Sequence, residues 1–409
     1  MLFAVLALAL VFAPPTALAA NPGAEDVEAD EVGRSLTLPP ATEHWVWLNE
    51  PLFRHQKLYD GDSGELLGIV DALGSLTGRH PLISRPRGET YVLESFYSRG
   101  NRGVRRDFVT IYDSRSLKVI GEVEIPPRTA DVGHGLALAT LLDGDRFLVV
   151  NNQEPANSVS VVDLNSRTFV DEITTAGCAL VYAVGPRSFG MLCGDGTALR
   201  VDLDDTGHQR RLVSSEPFFD VIEDPITEKG VRDGSTWMFA SFEGYLHTVD
   251  FAGERPHAVS RWSLFTDAQR KQSWRIGGLQ HLAFHKPSGR LFSVVHQGGR
   301  GTHKEAGSEI WVYDIDTRKR IQVIEPPPLL AAFLRRMAGI DPDSFTAWIM
   351  SLVMPIQGVH SVVVTRDEKP LLFVRHRENG AAGVYDARTG EFLRYLEETG
   401  LGGALMVVP

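Results

Sequence analysis

Seven times along the chain an aliphatic or aromatic residue is followed by Asp and then by a polar turn. The aspartates are Asp60, Asp113, Asp163, Asp202, Asp250, Asp314 and Asp386. Apolar alternation precedes each one, and most are followed by a second short alternating run. The unit is therefore a strand, a tight turn and a returning strand. Consecutive aspartates lie 53, 50, 39, 48, 64 and 72 residues apart. A period of roughly 40–50 residues with one small sheet per repeat is the signature of a β-propeller. A single blade cannot bury both of its faces, so the repeats predict one all-β, seven-bladed domain over residues 43–409, where length alone would suggest two or three domains. The terminal run 404–408 (ALMVV) has no blade of its own. It is expected to join the strands near 45–60 and latch the ring, leaving no open edge.

Residues 1–20 carry no charge, and an apolar run from Leu2 to Ala13 precedes the small-x-small sequence Ala17-Leu18-Ala19. This pattern predicts a cleaved secretory signal peptide. Residues 21–42, rich in Ala, Pro, Glu and Asp, read as a flexible leader. A net charge of −11 with no basic domain argues against a nucleic-acid partner.

The two cysteines, Cys178 and Cys193, flank two alternating runs around Gly185-Pro186. A hairpin there sets them opposite one another at a separation that a disulfide can close, and an exported chain would oxidise the pair. Two buried thiols are the alternative. Residues 326–357 break the repeat between the sixth and seventh motifs. Leu329–Ala338 is helix-prone, Asp341-Pro342 is a helix start, and Phe345, Trp348, Ile349, Leu352 and Val353 fall on one helical face. The segment reads as an inserted helical hairpin. Its apolar face either packs on the propeller or meets a partner protein or a membrane surface. Its second helix, roughly 13 residues at about 1.5 Å each, is too short to cross a bilayer.

No HExxH, Walker A, CxxC or GxSxG pattern is present. His281 and His285 share a strand face, but no third metal ligand accompanies them. Trp274-Arg275-Ile276-Gly277-Gly278 is a loop whose glycines permit close backbone approach. His303-Lys304 sits in a Gly-rich loop that would by itself be solvated surface. Arg99, Arg102, Arg105 and Arg106 make a basic hairpin tip, either a solvated turn or a docking patch for an acidic partner.

These loops carry a resemblance. The run 98–113 (SRGNRGVRRDFVTIYD), AGC at 176–178, PRSF at 186–189, CGDG at 193–196, W-R-x-GG at 274–278 and GTHK followed by SEIWVYD at 301–314 occur in an order and spacing similar to those of the heavy subunit of quinoprotein amine dehydrogenases. The chain looks nearer the aromatic amine than the methylamine branch. The likeness covers about 44–325 and 358–409. Ile276 stands where the family usually has Pro, and the insert at 326–357 has no counterpart in the pattern.

The resemblance implies a periplasmic assembly of two heavy and two light subunits. The light subunit would carry the tryptophan tryptophylquinone cofactor and the catalytic base, so no cofactor, metal or catalytic residue is expected in this chain. A primary amine would be oxidised to an aldehyde plus ammonia, with electrons leaving to a cupredoxin or cytochrome c. The family's disulfide maps onto Cys178 and Cys193. Its channel-mouth aromatic maps onto Phe53, which could otherwise be ordinary blade packing. Arg99, Arg102, Trp274, Arg275, Gly277, Gly278, His303 and Lys304 become candidates for the light-subunit interface. The competing reading is a secreted propeller that has left the enzyme and uses its insert to bind a partner. A self-contained propeller hydrolase would need a metal or acid–base cluster at the ring centre.

Overall fold

The repeated aspartates mark the same point in seven successive antiparallel sheets. In the structure, a computed structural model, residues 37–72, 79–130, 135–326, 339–341, 344–346, 349, 358–376, 382–400 and 405–409 are described. Blade 1 holds Trp45–Glu50, His55–Asp60 and Leu66–Asp71; blade 2 runs from Leu82–Ser84 through Glu89–Tyr97 and Arg105–Asp113 to Val119–Ile125. Blade 3 spans Ala139–Leu142 to Thr168–Thr174, blade 4 Cys178–Gly185 to Gln209–Ser214, and blade 5 Val231–Asp233 to His257–Ser263. Blade 6 begins with a broken first strand, Trp274–Ile276 and Leu282–His285, and ends at Lys319–Ile324; blade 7 spans Ser361–Val364 to Phe392–Leu396. The latch forms as expected: Met406–Val407 supplies the missing strand of blade 1, with Trp47 opposite Val407 and Leu48 opposite Met406.

Six of the seven repeat aspartates end the third strand of their blade and turn the chain with their own carboxylate. Asp113 Oδ1 accepts from the Ser116 N–H at 2.7 Å, Asp163 Oδ1 from Asn165 at 2.8 Å, Asp314 Oδ1 from Thr317 at 2.7 Å and Asp386 Oδ1 from Arg388 at 2.7 Å. Asp favours such turns because its short side chain imitates a backbone acceptor. Just before the turn the pairing of the third and fourth strands slips by one residue in every blade. The bulge sharpens the twist that a blade needs to lie against its neighbours. Blade 4 departs from the sequence reading by two residues. There the turn is held by Asp204, which accepts from Thr206 N–H at 2.8 Å. Asp202 instead accepts from Ser188 Oγ at 2.6 Å and Arg200 Nε at 2.7 Å. The run DLDD offers more than one aspartate, and only the position of the bulge decides between them.

Buried apolar side chains form seven clusters, one at each seam between adjacent blades. The seam of blade 7 with blade 1, built on Phe373, Val384, Val46, Tyr59 and Met406, closes the ring. Arg375 fastens it. This fully buried guanidinium donates to Asn49 Oδ1, Asn49 O, Leu405 O and Thr399 O.

Alternation of strands gives the ring two unlike faces. The upper face carries the turns between second and third strands and the connections from one blade to the next. The lower face carries the first turns of each blade and the aspartate turns. The signal segment 1–20 lies outside the described residues. Of the leader, Leu38 is tied to Arg115, its N–H 2.8 Å from the Arg115 carbonyl. The helical hairpin of 326–357 also lies almost wholly outside the described residues. The strands that flank it, ending at Ile324 in blade 6 and starting at Ser361 in blade 7, are described, and both of these ends meet the upper face. A short helix that the sequence reading did not anticipate, Asp267–Lys271, starts at a Thr266 capping box with Gln269.

Candidate functional site

All the candidate interface residues lie on the upper face, in two separate regions. The first spans blades 1 and 2. Phe53 sits in the Pro51–Arg54 turn and is 61 % exposed; Leu52 beside it is 64 % exposed. Phe53 is therefore not packed into the blade, which removes the ordinary reading of that residue. Arg99 and Arg102 lie in the next blade's corresponding turn, closed by Arg99 N–H to Arg102 O at 3.0 Å, with Gly100 and Gly103 at positive φ. The basic tip divides into two pairs. Arg105 grips the buried Asp107 at 2.7 and 2.8 Å, and Arg106 pairs with Glu124. The exposed Arg99 and Arg102 side chains make no ion pair among the described residues.

The second region joins blades 5 and 6. Trp274 packs against Trp311 with ring centroids 4.8 Å apart. Arg275 reaches across the seam to Glu243 at 3.0 Å and to the Gly298 carbonyl at 3.1 Å. The glycine pair is needed for close approach. A Cβ on Gly277 would lie 2.8 Å from Glu305 O, and one on Gly278, whose φ is 91°, would lie 2.5 Å from His360 O. The close approach of Gly277 to Glu305 seats the 298–308 loop on the strand, with Gly278 N–H donating to Glu305 O at 2.6 Å. His303 is thereby laid flat on Phe242, centroids 3.6 Å apart and planes 22° from parallel, while Lys304 points to solvent. Burial, and then the charges of Lys304 and Lys229, hold the His303 imidazole below its ordinary pKa. It is therefore neutral and suited to stacking and hydrogen bonding.

Phe242 and Glu243 were missed from sequence. Their signal was an aromatic and an acid in the tight turn S-F-E-G, where small polar residues would be usual. Beneath them, buried Lys229 pairs with Glu228, and His281 Nε2 lies 2.8 Å from Thr227 Oγ1. Burial and Lys229 push the His281 pKa down to about 3. His285 faces another way, to Ser288 Oγ at 2.7 Å and Asp367 O at 2.9 Å, so the two histidines do not converge. Cys178 and Cys193 are directly opposed in blade 4 and form the disulfide, Cα atoms 3.9 Å apart.

A profile of the methylamine dehydrogenase heavy chain family matches residues 46–327. The chain belongs to that family. It is 27 % identical to the methylamine dehydrogenase heavy chain of Paracoccus versutus over 92 % of its own length and 81 % of the relative's. It is 24 % identical to that of Methylophilus methylotrophus over 98 % and 91 %. Among solved structures, a dihydro-heme d1 dehydrogenase superposes with a TM-score of 0.55 at 16 % identity, covering 92 % of this chain and 77 % of the other. A putative 6-phosphogluconolactonase from Bacteroides fragilis superposes at 0.56 with 10 % identity, covering 91 % and 100 %. Both show the shared ring architecture. The matched span ends at 327, inside the segment 326–357, while the alignment with the Methylophilus methylotrophus relative covers 98 % of this chain. The loops that carry the family motifs, those of Phe53, Arg99, Cys178, Cys193, Trp274 and His303, all open on the upper face; only PRSF at 186–189 starts on the lower one.

Proposed function

We propose that this chain is the heavy subunit of a periplasmic amine dehydrogenase, assembled two-and-two with a light subunit that bears tryptophan tryptophylquinone and the catalytic base. That cofactor accepts the electrons of the amine, which leaves as aldehyde plus ammonia, and a cupredoxin or cytochrome c carries the electrons on. The chain's own residues act as walls and docking contacts. The observation that carries this reading is the convergence of the family's motif loops on one face of the ring.

Leu52 and Phe53, apolar and held out into solvent, would line the amine passage and admit a hydrophobic tail. Arg99 and Arg102 offer two unpaired charges to an acidic surface, acting mainly on association rate and register. Trp274 to Gly278 and the His303–Lys304 loop form a second, rigid contact region, suited to shape complementarity. The relatives named above are methylamine dehydrogenases; the nearer likeness to the aromatic-amine branch rests on the loop motifs alone.

Co-expression with the light subunit of the same enzyme tests the reading. The purified heavy chain alone should be colourless and inactive, and the pair should reduce dye with amine. Phe53→Ala should change the preference between short and aromatic amines without weakening assembly. Unchanged selectivity would remove Phe53 from the channel, and turnover by the heavy chain alone would overturn the division of labour. The second reading, a binding module that uses the insert, is favoured by one observation: Phe345, within that segment, is 71 % exposed. Deleting 327–356 separates the two. Retained light-subunit binding supports the enzyme subunit, and loss of a different partner supports the module.

A further inference from the structure

The ring encloses an axial cavity of about 780 Å³, lined by residues of all seven blades. Its wall is largely aliphatic: Leu282, Val363, Val364, Met406 and Val408 face it, with Trp237 on one side. Its mouth is on the lower face, where Arg232, Lys286 and Arg366 line it from blades 5, 6 and 7. No Asp or Glu is among the described lining residues. In a chain with 52 acidic and 41 basic residues, three cations and no carboxylate in the described lining is an uneven local choice.

The three cations are not equivalent. Lys286 is neutralised by Asp233 at 2.6 Å. Arg232 donates only to the Gly234 carbonyl, at 2.6 Å, and neither Arg232 nor Arg366 has a carboxylate partner among the described residues. Both guanidinium groups are solvent-exposed at the cavity mouth, and partial desolvation, then the charge of Arg366, hold the Arg232 guanidinium below its ordinary pKa. An arrangement of this kind is relieved by a bound anion, because guanidinium groups bind carboxylates through paired charge-assisted hydrogen bonds. The volume suits a small organic ligand.

We propose that the axial cavity binds an amphipathic organic monoanion, its carboxylate on Arg232 and Arg366 and its apolar body against the first strands of the blades. The site lies on the face opposite the motif loops and does not depend on the amine dehydrogenase reading.

Titration calorimetry on the full chain, alone or with its light subunit, tests this with octanoate, octan-1-ol and acetate. Octanoate should bind saturably at one site per chain. Octan-1-ol, which keeps the tail, and acetate, which keeps the head, should each bind at least about tenfold more weakly. Arg232→Gln and Arg366→Gln should each weaken octanoate by about tenfold. Val364→Trp should abolish binding by filling the cavity while leaving both guanidinium groups in place. The wild-type comparison of the three probes stands even where a variant fails to fold. No saturable octanoate binding, or equal affinity for octanoate and octan-1-ol, or an affinity untouched in both folded arginine variants, would overturn the proposal.

Discussion

Arg375→Met is the sharpest test of how the ring is held shut. The guanidinium is fully buried and makes four hydrogen bonds, to Asn49 Oδ1 (3.0 Å), Leu405 O (3.1 Å), Asn49 O (2.7 Å) and Thr399 O (2.7 Å). It therefore joins the second strand of blade 7, the second strand of blade 1 and both ends of the C-terminal tail. Methionine keeps the volume and removes the donors. Two of the acceptors keep another partner: Asn49 Oδ1 accepts from Leu405 N–H at 2.8 Å, and Leu405 O from Asn49 N–H at 3.2 Å. Asn49 O and Thr399 O lose their donor. At about 1–3 kcal/mol for each buried acceptor left without a partner, and allowing for relief from burying a charge, the net loss is about 2–4 kcal/mol. For a ring of this size, with roughly 2 cal/mol/K of unfolding entropy per residue, that lowers Tm by about 3–5 °C. Melting should be compared at one scan rate, because large domains often unfold irreversibly. Hydrogen exchange of the Leu405 and Met406 amides localises the effect: their protection should fall before that of blades 3 and 4. A Tm within about 1 °C of the parent, with the tail amides still protected, would mean that the seam cluster closes the ring without the arginine.

Other perturbations probe other joints. His44 bridges Asp62 (2.8 Å) and Asp367 (3.1 Å) on the lower face, across the same closing seam. Burial pulls its pKa down, but the two carboxylates outweigh that and raise it above 6.5. Its contribution is thus full below pH 6.5 and is lost as pH rises through the raised value. Asp367, partly buried but held down in pKa by Thr365, Lys369 and His44, sets the acid limit. The stability difference between the parent and His44→Gln should accordingly be largest between about pH 4 and 6.5 and shrink by pH 8; a difference independent of pH would refute the clasp. Opening the 15-residue disulfide span with Cys178→Ala and Cys193→Ala together should cost about 3 kcal/mol, read as a lower denaturation midpoint with an unchanged slope. Gly278→Ala should release the 298–308 loop, because its Cβ meets His360 O and its φ of 91° suits only glycine, so the backbone must shift and the Gly278 N–H is drawn off Glu305 O. Faster proteolysis confined to that loop is the expected readout, and unchanged cleavage would argue against the glycine's role.

The ring was legible because its determinants are local. An aspartate that closes an Asx turn after a period-two run announces a hairpin wherever it occurs, and seven such hairpins in series leave few alternatives to a closed propeller. The latch was legible for a related reason: Ala404–Val408 has strand character and no partner in its own neighbourhood. Asp204 shows the limit of this reading, since the bulge that selects it over Asp202 depends on pairing with Gln209–Ser214. Long-range polar joints were not legible at all. Arg375 reads as one charge in LLFVRH, and its partners lie 24 to 326 positions away. His44, before the first strand, meets Asp367 across 323 positions. The same holds for Phe242 and Glu243, which matter only because blade 6 brings His303 and Arg275 to them.

The segment 326–357 lies in a connection between blades, and the strands on either side of it meet the upper face. Glu325 and Val359 flank the segment, and the Gly307–Val359 pairing, at 2.7 Å in both directions, joins blades 6 and 7 directly. The flanking blades are therefore tied to one another directly, and their packing is expected not to depend on the residues between them. If that is right, removing 327–356 should leave Tm within about 2 °C of the parent while changing what binds the upper face. A large loss of stability would instead mean that the insert has become part of the core.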